Sequence, residues 1–193
     1  MRLFVALQIP DSIRNDYAKL MEELRRLDAK AAKKKPKWVR PENLHVTLKF
    51  IGHTDPAKLD AIRTALAKVS SQQEIRLHFR NIGFFPNANR PRVIWGGMQA
   101  PEYLAALAHA VDQQIASFGF PAEERDFAPH LTLARLDPPG IDRELRAAIE
   151  KHAARDFGVL HTSEFHLIES KLKPSGAEYT TLQSFPFCLK SKD

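Results

Sequence analysis

Two short segments of the chain each place a histidine two residues before a threonine. They are His45-Val46-Thr47-Leu48 and His130-Leu131-Thr132-Leu133. Successive side chains of a strand point to opposite faces, so the histidine and the threonine of each segment share a face if the segment is extended. Imidazole titrates near neutral pH, and two imidazoles can therefore supply the base and the acid of a phosphodiester reaction. The two hydroxyls can donate hydrogen bonds to nonbridging oxygens, where charge develops in the transition state.

The repetition of the segment carries the hypothesis of a two-histidine site. One copy alone is weak evidence, because a histidine in an apolar strand is usually structural and threonine is common in strands. Two copies at matching points favour a shared function, and we predict that His45 and His130 are catalytic and that Thr47 and Thr132 bind phosphate. Strict alternation also places Lys49 on the face of His45, which makes Lys49 a further candidate phosphate contact.

The apolar pattern around these segments predicts two similar halves. In the first half it predicts strands at residues 3–8, 45–51 and 75–80 and helices at about 11–27 and 59–69. In the second half it predicts strands at 93–97, 130–135, 157–170 (with an internal turn) and 179–187 and helices at 104–118 and 141–149. We therefore expect an α+β protein with two lobes related by a pseudo-two-fold axis, each a small, mainly antiparallel sheet flanked by helices, with the active cleft between them. The expected unit is one bilobal domain over residues 1–193 with interleaved lobes and sequence halves of about 1–90 and 91–193.

Composition narrows the class of protein. Of the 193 residues, 44% are hydrophobic and 27% charged, which excludes a disordered, collagen-like or coiled-coil chain. The single cysteine, Cys188, cannot form an intrachain disulfide, which favours a reducing compartment. The apolar run at residues 3–7 is too short for a signal or membrane segment. We therefore expect a cytoplasmic protein that does not contact membranes.

Charge is distributed unevenly along the chain. Residues 1–97 contain 19 Lys and Arg against 9 Asp and Glu, whereas residues 98–193 contain 10 against 14. A positive field raises the local concentration of polyanions such as nucleic acid. Part of the excess lies in a run of lysines before Trp38, which are Lys30, Lys33, Lys34, Lys35 and Lys37. A solvated loop is the favoured interpretation of that run, since blocks of like charge are often disordered.

The two segments and their surroundings resemble the two-histidine phosphoesterase family, and within it the bacterial RNA 2′,3′-cyclic phosphodiesterases, which are also called 2′-5′ RNA ligases. The resemblance covers almost the whole chain. It rests on five stretches in the same order, at residues 1–7, 38–52, 91–96, 127–135 and 185–187. It implies a bilobal α+β fold and metal-independent hydrolysis of a terminal 2′,3′-cyclic phosphate to a 2′-phosphate.

The resemblance also assigns roles to individual residues. It makes His45 the proton donor to the leaving 3′ oxygen and His130 the proton acceptor that activates water, with Thr47 and Thr132 holding the phosphate. Arg135 matches a basic residue of the family's second motif. Strict alternation from His130 puts Arg135 on the opposite face, so it can bind phosphate only if the strand bends or ends there.

Three further residues are candidates for contact with RNA. Arg90 and Arg92 follow the aromatic pair Phe84-Phe85 in a predicted loop, and such a mixture can stack a base and bind phosphates. Trp38 follows the run of lysines and is the third candidate. A turn with buried phenylalanines would explain the same combination of aromatic residues and arginines. The remaining six histidines are expected to be structural or at the surface.

No cofactor and no metal are expected. Two histidines with neighbouring threonines lack the third nitrogen or carboxylate ligand that zinc prefers, and the chain has no phosphate-binding glycine loop. The expected partners are RNA 3′ ends with a cyclic phosphate or 2′-5′-linked oligonucleotides, bound by a monomer. Three alternatives remain open: reversible 2′-5′ ligation by the same groups, a nucleotide-binding module without turnover, and a basic RNA-binding protein whose cleft is incidental.

Overall fold

The computed structural model describes residues 1–28, 36–71, 73–137, 139–174 and 176–189. Within these residues the strands are β1 (Arg2–Gln8), β2 (Lys37–Trp38), β3 (His45–His53), β4 (Ile75–Phe85), β5 (Val93–Gln99), β6 (Leu131–Arg135), β7 (Asp156–Thr162), β8 (Glu164–Lys173) and β9 (Gly176–Pro186). The α-helices are α1 (Asp11–Asp28), α2 (Leu59–Leu66), α3 (Glu102–Ala116) and α4 (Arg143–Lys151). Short 3-10 helices at Pro41–Asn43 and Pro56–Lys58 precede β3 and α2.

The strands form two antiparallel sheets, each built from both sequence halves. Sheet A has the order β3-β1-β8-β9 and sheet B the order β2-β6-β5-β4-β7. Helices α2 and α3 pack together against sheet A, and α1 and α4 pack together against sheet B. Each sheet therefore has one face covered by helices, and the opposite face is called the site face below.

Helix α1 shows how sequence pattern and packing combine. Its apolar positions recur at helical spacing, and Ile13, Tyr17, Leu20 and Leu24 are all buried. The ring of Tyr17 stacks on Phe157 of β7 at 3.9 Å between centroids. In β5 of the same sheet, a Cβ at Gly96 would come within 2.6 Å of the Tyr17 hydroxyl. The glycine thus lets the helix approach sheet B closely.

None of the described helices combines the length and the apolar character needed to cross a bilayer.

The predicted α+β class with two pseudo-two-fold-related lobes is confirmed, whereas some element boundaries are not. The turn predicted within residues 157–170 is confirmed between Thr162 and Glu164, where the chain leaves sheet B and enters sheet A. The sequence pattern does not indicate that the strands on either side of this turn belong to different sheets. Strand β2 was not predicted, and β4 extends five residues beyond the predicted end at residue 80.

Candidate active site

The two predicted catalytic histidines have the same backbone environment. His45 is the first residue of β3, and His130 lies directly before β6. The Nδ1 of His45 is 2.7 Å from the carbonyl oxygen of Asn43, and the Nδ1 of His130 is 2.8 Å from that of Ala128. A carbonyl only accepts, so each Nδ1 carries the proton and donates it. The Nε2 of each neutral ring is then the basic atom, available for proton transfer.

The fold brings the two histidines into one site. Strand β3 is the edge of sheet A, and it contacts β6 of sheet B. The pKa of His45 is lowered, first by burial and then by the positive charges of His130 and Arg135, against the hydrogen bond to Asn43, which raises it. The imidazoles are therefore close enough for the charge of one to affect the other. Residues 85 positions apart in sequence come together because β3 of sheet A contacts β6 of sheet B.

The two threonines lie on the site faces, as alternation predicts. Thr47 is directly opposite Ala6 of β1, and Thr132 is directly opposite Trp95 of β5. Both threonines are half-buried. Each hydroxyl thus lies beside its histidine on the same face of the strand.

Both strands contain a β-bulge at the same point after the threonine. In β3, Thr47 pairs with Ala6 and Lys49 with the adjacent Val5, so Leu48 is the extra residue. In β6, Thr132 pairs with Trp95 and Ala134 with Ile94, so the extra residue is Leu133. A bulge inserts one residue and reverses the alternation beyond it. The residues that directly follow each bulge, Lys49 and Phe50 in β3 and Ala134 and Arg135 in β6, therefore lie on faces opposite to those that strict alternation predicts.

The bulge removes Lys49 from the site, and its expected placement beside His45 is wrong. Lys49 pairs with Val5 on the helix-covered face and is only 7% exposed. Its ammonium forms an ion pair with Asp112 of α3 and donates a hydrogen bond of 2.7 Å to the carbonyl of Pro121. With its charge satisfied on the opposite side of sheet A, Lys49 is not a phosphate contact.

The bulge in β6 brings Arg135 onto the site face. Arg135 pairs with Val93 of β5, and Thr132 pairs with Trp95 of the same strand. Val93 and Trp95 are two residues apart and share a face, so Arg135 and Thr132 share that face as well. Arg135 is exposed. Burial is the main influence on its two titratable neighbours: it lowers the pKa of His45 and raises that of Tyr179. The positive charge of Arg135 lowers both pKa values. Arg135 thus faces the two histidines despite the sequence alternation. The equivalent residue after the bulge in β3 is Phe50, which is 62% exposed.

Each histidine also packs against aromatic rings, of which the sequence predicts no role for Phe4 and Tyr179. The ring of His45 lies 4.7 Å from that of Phe4 and 5.4 Å from that of Tyr179, with Tyr179 nearly perpendicular. The ring of His130 lies 5.2 Å from that of Phe85, also nearly perpendicular. Each imidazole is thus held by a backbone carbonyl at Nδ1 and by an aromatic ring. Phe4 lies within an apolar run of β1, where no local signal separates a site residue from a core residue.

A cavity of about 400 Å³ opens beside His45. Its polar and charged lining comes mainly from the ends of β1 and β9 and the segment before β3, and includes Gln8, Arg14, Arg40, Asn43 and Thr181. The carboxylate of Glu42 pairs with Arg40 within it. The site thus has space for a polar ligand on the side of His45.

The three candidate RNA contacts have different placements. Trp38 pairs with buried Ala134, and its ring lies under Arg25 of α1, with 5.9 Å from the guanidinium carbon to the ring centroid. The expectation that Trp38 contacts RNA is wrong, because its ring packs on the helix side of sheet B. Lys37 pairs with Arg135 and shares its site face instead.

Arg90 and Arg92 are exposed in the loop between β4 and β5. The carboxamide of Asn87 organises this loop by accepting hydrogen bonds from the backbone N–H groups of Asn89 and Arg90. Contact of the two arginines with RNA stays a prediction. Of the lysine run before Trp38, Lys30, Lys33, Lys34 and Lys35 lie outside the described residues.

The remaining histidines lie in other environments. His78 is 2.6 Å from the carboxylate of Asp156, His161 is 3.1 Å from that of Glu74, and the Nδ1 of His166 is 2.9 Å from the hydroxyl of Ser184. Over the described ranges of the chain, no group of three or more His, Cys, Asp or Glu side chains could hold a metal ion.

Comparisons with known proteins agree with this geometry. A family model described as LigT like Phosphoesterase matches residues 7–95 and 98–179, which include both His-x-Thr segments. The RNA 2′,3′-cyclic phosphodiesterase of Archaeoglobus fulgidus is 35% identical over 96% of this chain and 99% of its own length. The protein of the same name from Methanocaldococcus jannaschii is 35% identical over 96% and 100%.

Solved structures match over nearly the full chain. The TT0787 protein of Thermus thermophilus superposes with a TM-score of 0.78 at 27% identity, covering 99% of this chain and 100% of that one. The E. coli LigT complexed with 3′-AMP superposes with a TM-score of 0.69 at 27% identity, covering 96% and 97%.

Proposed function

This chain belongs to the LigT-like phosphoesterase family, and on that premise we propose that it hydrolyses the terminal 2′,3′-cyclic phosphate of RNA to a 2′-phosphomonoester without a metal ion. One observation carries the proposal: both imidazoles have Nδ1 bonded to the carbonyl two residues earlier, on strands that meet. This arrangement leaves two Nε2 atoms for two proton transfers. The names of the relatives support RNA as the substrate.

The proposed reaction divides the proton transfers between the histidines. The Nε2 of His130 takes a proton from water, whose oxygen attacks phosphorus, while the bond from phosphorus to O3′ breaks. The protonated Nε2 of His45 gives its proton to O3′. The product is a 2′-phosphate with a free 3′-hydroxyl, and the next cycle requires only that the proton return from His130 to His45 through solvent.

Three side chains would stabilise the transferring phosphoryl group. Thr47 and Thr132 lie on the faces of the histidines, and their hydroxyls would donate to the nonbridging oxygens. Hydrogen bonds to a charged group contribute about 1.5–3 kcal/mol each. Arg135 adds a positive charge that the bulge of β6 turns toward the histidines. An arginine suits this position, because its guanidinium can bind two phosphate oxygens at once.

The experiment that tests the proposal identifies the product. The protein is incubated with an oligoribonucleotide that ends in a 2′,3′-cyclic phosphate, and the terminal nucleotide is released and compared with authentic 2′- and 3′-monophosphates. We expect the 2′-monophosphate alone. A 3′-monophosphate, or an unchanged cyclic end, would contradict the proposal. Action on RNA as a monomer in the cytoplasm stays a prediction.

The lowered pKa of His45 leads to a specific pH dependence. As proton donor His45 must be protonated, so kcat/KM falls as the pH rises through the pKa of His45 in the free protein. Burial, and after it the charge of Arg135, lower that pKa in the active form, in which His130 is neutral, so we expect the fall to begin below the ordinary value of 6.5. The phosphate anion of bound substrate stabilises the imidazolium, so the corresponding fall in kcat is expected at higher pH. Profiles of both constants with adenosine 2′,3′-cyclic phosphate measure the two limbs, and limbs that coincide, or a reversed order, would refute this assignment.

Activity is expected to survive removal of divalent metals. The donor set at the site is two imidazoles and two hydroxyls, with both Nδ1 atoms already bonded to backbone carbonyls, whereas catalytic zinc usually has three protein ligands from imidazole, thiolate or carboxylate groups. The measurement is the initial rate before and after dialysis against EDTA. A loss of the rate that zinc or magnesium restores would reject the metal-independent mechanism.

A further inference from the structure

The cavity beside His45 is formed by parts of the chain that are far apart in sequence. Its lining comes from the end of β1 with the first turn of α1, the segment at residues 40–45, and β9 at residues 177–181, together with Ile168 of β8. Its volume of about 400 Å³ falls in the range of small-molecule sites, which is about 300–1,000 Å³. His45 is itself part of the lining, so a group that fills the cavity lies next to the proposed proton donor.

Side-chain hydrogen bonds hold the walls of this cavity together. The buried side chain of Asn43 donates a hydrogen bond of 2.7 Å to the carbonyl of Ala177 in β9, and the backbone carbonyl of Asn43 accepts from Nδ1 of His45. The Nε2 of Gln8 in β1 donates a hydrogen bond of 2.8 Å to the hydroxyl of Thr181 in β9. The cavity is therefore preformed, which lowers the entropic cost of binding a ligand there.

Two arginines supply the positive charge of the cavity. The guanidinium of Arg14 donates a hydrogen bond of 2.9 Å to the carbonyl of Ile9 and forms an ion pair with Asp11. The guanidinium of Arg40 forms an ion pair with Glu42. Both carboxylates are exposed, and exposed pairs contribute little free energy. An anion in the cavity can therefore bind the two guanidinium groups in place of these carboxylates.

The acidic side chains of the lining do not cancel this charge. Glu42 and Glu178 both line the cavity. The carboxylate of Glu178 forms an ion pair of 2.6 Å with Lys173 at the other end of the same hairpin turn. Once Lys173 has neutralised Glu178, the two arginines of the lining are opposed by Glu42 alone. An anion fits this balance better than a cation does.

The mechanism proposed above defines which part of an RNA end reaches the cavity. The O3′ of the terminal ribose is next to His45. Two groups extend from that ribose: the base from C1′, which is bonded to C2′, and the C5′ arm with its phosphate from C4′, which is bonded to C3′. Since C3′ carries the oxygen that His45 protonates, the C5′ arm leaves the sugar on the side of His45. Its phosphate is an anion, and in RNA it links the terminal nucleotide to the rest of the strand.

We propose that the cavity binds the phosphate on O5′ of the terminal nucleotide through the guanidinium groups of Arg14 and Arg40, so that the protein prefers RNA ends to cyclic mononucleotides; this rests on the proposed function. A guanidinium can bind two oxygens of one phosphate at once. The bound phosphate takes no part in the bond changes. It holds the ribose so that O3′ stays next to His45, which uses binding energy from a remote group to favour the reacting geometry.

The test uses three substrates that differ only at O5′. They are adenosine 2′,3′-cyclic phosphate, the same compound with a 5′-phosphate, and adenylyl-(3′→5′)-adenosine 2′,3′-cyclic phosphate. For the wild type, kcat/KM is expected to be about 10- to 100-fold higher with the dinucleotide than with the first compound, the effect of hydrogen bonds to a charged group. The 5′-phosphorylated mononucleotide should recover most of this preference, because it carries the phosphate without the upstream nucleoside.

Variants of the two arginines connect the preference to the cavity. Arg40→Gln is expected to lower the ratio of kcat/KM for the dinucleotide to kcat/KM for adenosine 2′,3′-cyclic phosphate about tenfold, and Arg14→Gln should lower it as well. Arg125→Gln is the matched control, because Arg125 also pairs with a glutamate two residues away, Glu123. The backbone N–H of Glu123 donates to Asp112 of α3, on the helix side of sheet A, and this control should leave the ratio unchanged.

A variant with an expected gain guards against misfolding. Glu42→Gln removes the carboxylate that competes with phosphate for the guanidinium of Arg40. It should raise the same ratio about two- to fivefold, the effect of releasing one exposed ion pair. A partly unfolded protein loses activity with every substrate, so it cannot produce a selective gain.

The outcomes distinguish this inference from the proposed function. A ratio that Arg40→Gln and Arg14→Gln leave unchanged, with equal loss on both substrates or none, would overturn the inference. It would also be wrong if the wild type hydrolysed all three substrates equally well, or if the 5′-phosphate alone brought no gain. If the wild type hydrolysed none of the three substrates, the proposed function itself would fail.

Discussion

Replacing His45 with alanine is expected to lower kcat for hydrolysis of a 2′,3′-cyclic phosphate by about 10²- to 10⁴-fold, and replacing His130 should have a similar effect. Each change removes one of two proton transfers, and no neighbouring group is positioned identically. Each Nδ1 is held by a carbonyl within 2.8 Å, so the Nε2 positions depend on the imidazole itself. The measurement is steady-state kcat with adenosine 2′,3′-cyclic phosphate.

Matched histidine variants separate loss of chemistry from loss of fold. His53→Ala lies at the other end of β3 and is exposed, and His161→Ala is exposed on β7 of sheet B. Both should keep near-normal turnover. If either His45→Ala or His130→Ala kept more than about a tenth of the wild-type kcat while remaining folded, the two-histidine mechanism would be wrong.

A substrate with a good leaving group distinguishes the acid from the base. With p-nitrophenolate as the leaving group, the departing oxygen needs no proton, so His45→Ala should lose much less activity than it does with a cyclic phosphate. His130→Ala should lose as much as before, because water must still be activated. The opposite pattern would exchange the two roles.

The second large effect concerns stability. Asp112→Ala is expected to destabilise the protein by about 3 kcal/mol, because it leaves the ammonium of Lys49 buried without its carboxylate. Lys49 is 7% exposed and the side chain of Asp112 is 12% exposed. The carboxylate also accepts hydrogen bonds of 3.3 Å from the backbone N–H of Glu123, so it ties the bulge of β3 to the segment after α3. Chemical denaturation of the variant and the wild type measures the difference.

Two further variants test whether the loss of stability in Asp112→Ala comes from an unpaired buried charge. Lys49→Met combined with Asp112→Leu removes both charges and should recover most of the stability, since a buried pair replaced by apolar residues is often neutral. Asp60→Ala breaks an exposed pair with Arg63, in which the Asp60 side chain is 92% exposed, and should have no measurable effect. A loss in Asp112→Ala no greater than that of Asp60→Ala would contradict the assignment of a buried charge pair.

The pseudo-two-fold relation of the site is imperfect in a way that bears on function. Equivalent bulges turn Lys49 and Ala134 toward the helices and Phe50 and Arg135 toward the site. The buried position needs a charge partner in β3 and none in β6. The exposed position is aromatic on the side of His45 and cationic on the side of His130. These differences give two similar half-sites distinct surroundings.

Local sequence was sufficient to place the two histidines and the two threonines on their strand faces, but it was insufficient to place the residues that follow them. The period of two along a strand places His45 with Thr47 and His130 with Thr132, and that placement depends on no other part of the chain. It fails after the threonine, because a bulge depends on how the neighbouring strand pairs. Lys49 was therefore predicted on the wrong face, and Arg135 faces the site only because of the bulge. Trp38 fails for a related reason, since its pairing with Ala134 turns its ring toward α1.

By itself the sequence determined the α+β class, the two His-x-Thr strands and the chemistry that two imidazoles can perform, because apolar periodicity and residue type are local properties. Only the tertiary structure decided that strands from both halves share each sheet, that the contact of β3 with β6 brings the histidines together, and that Phe4, Phe85, Trp95 and Tyr179 surround them. Those arrangements depend on contacts between residues far apart in the chain. No local pattern specifies which strand will lie beside another.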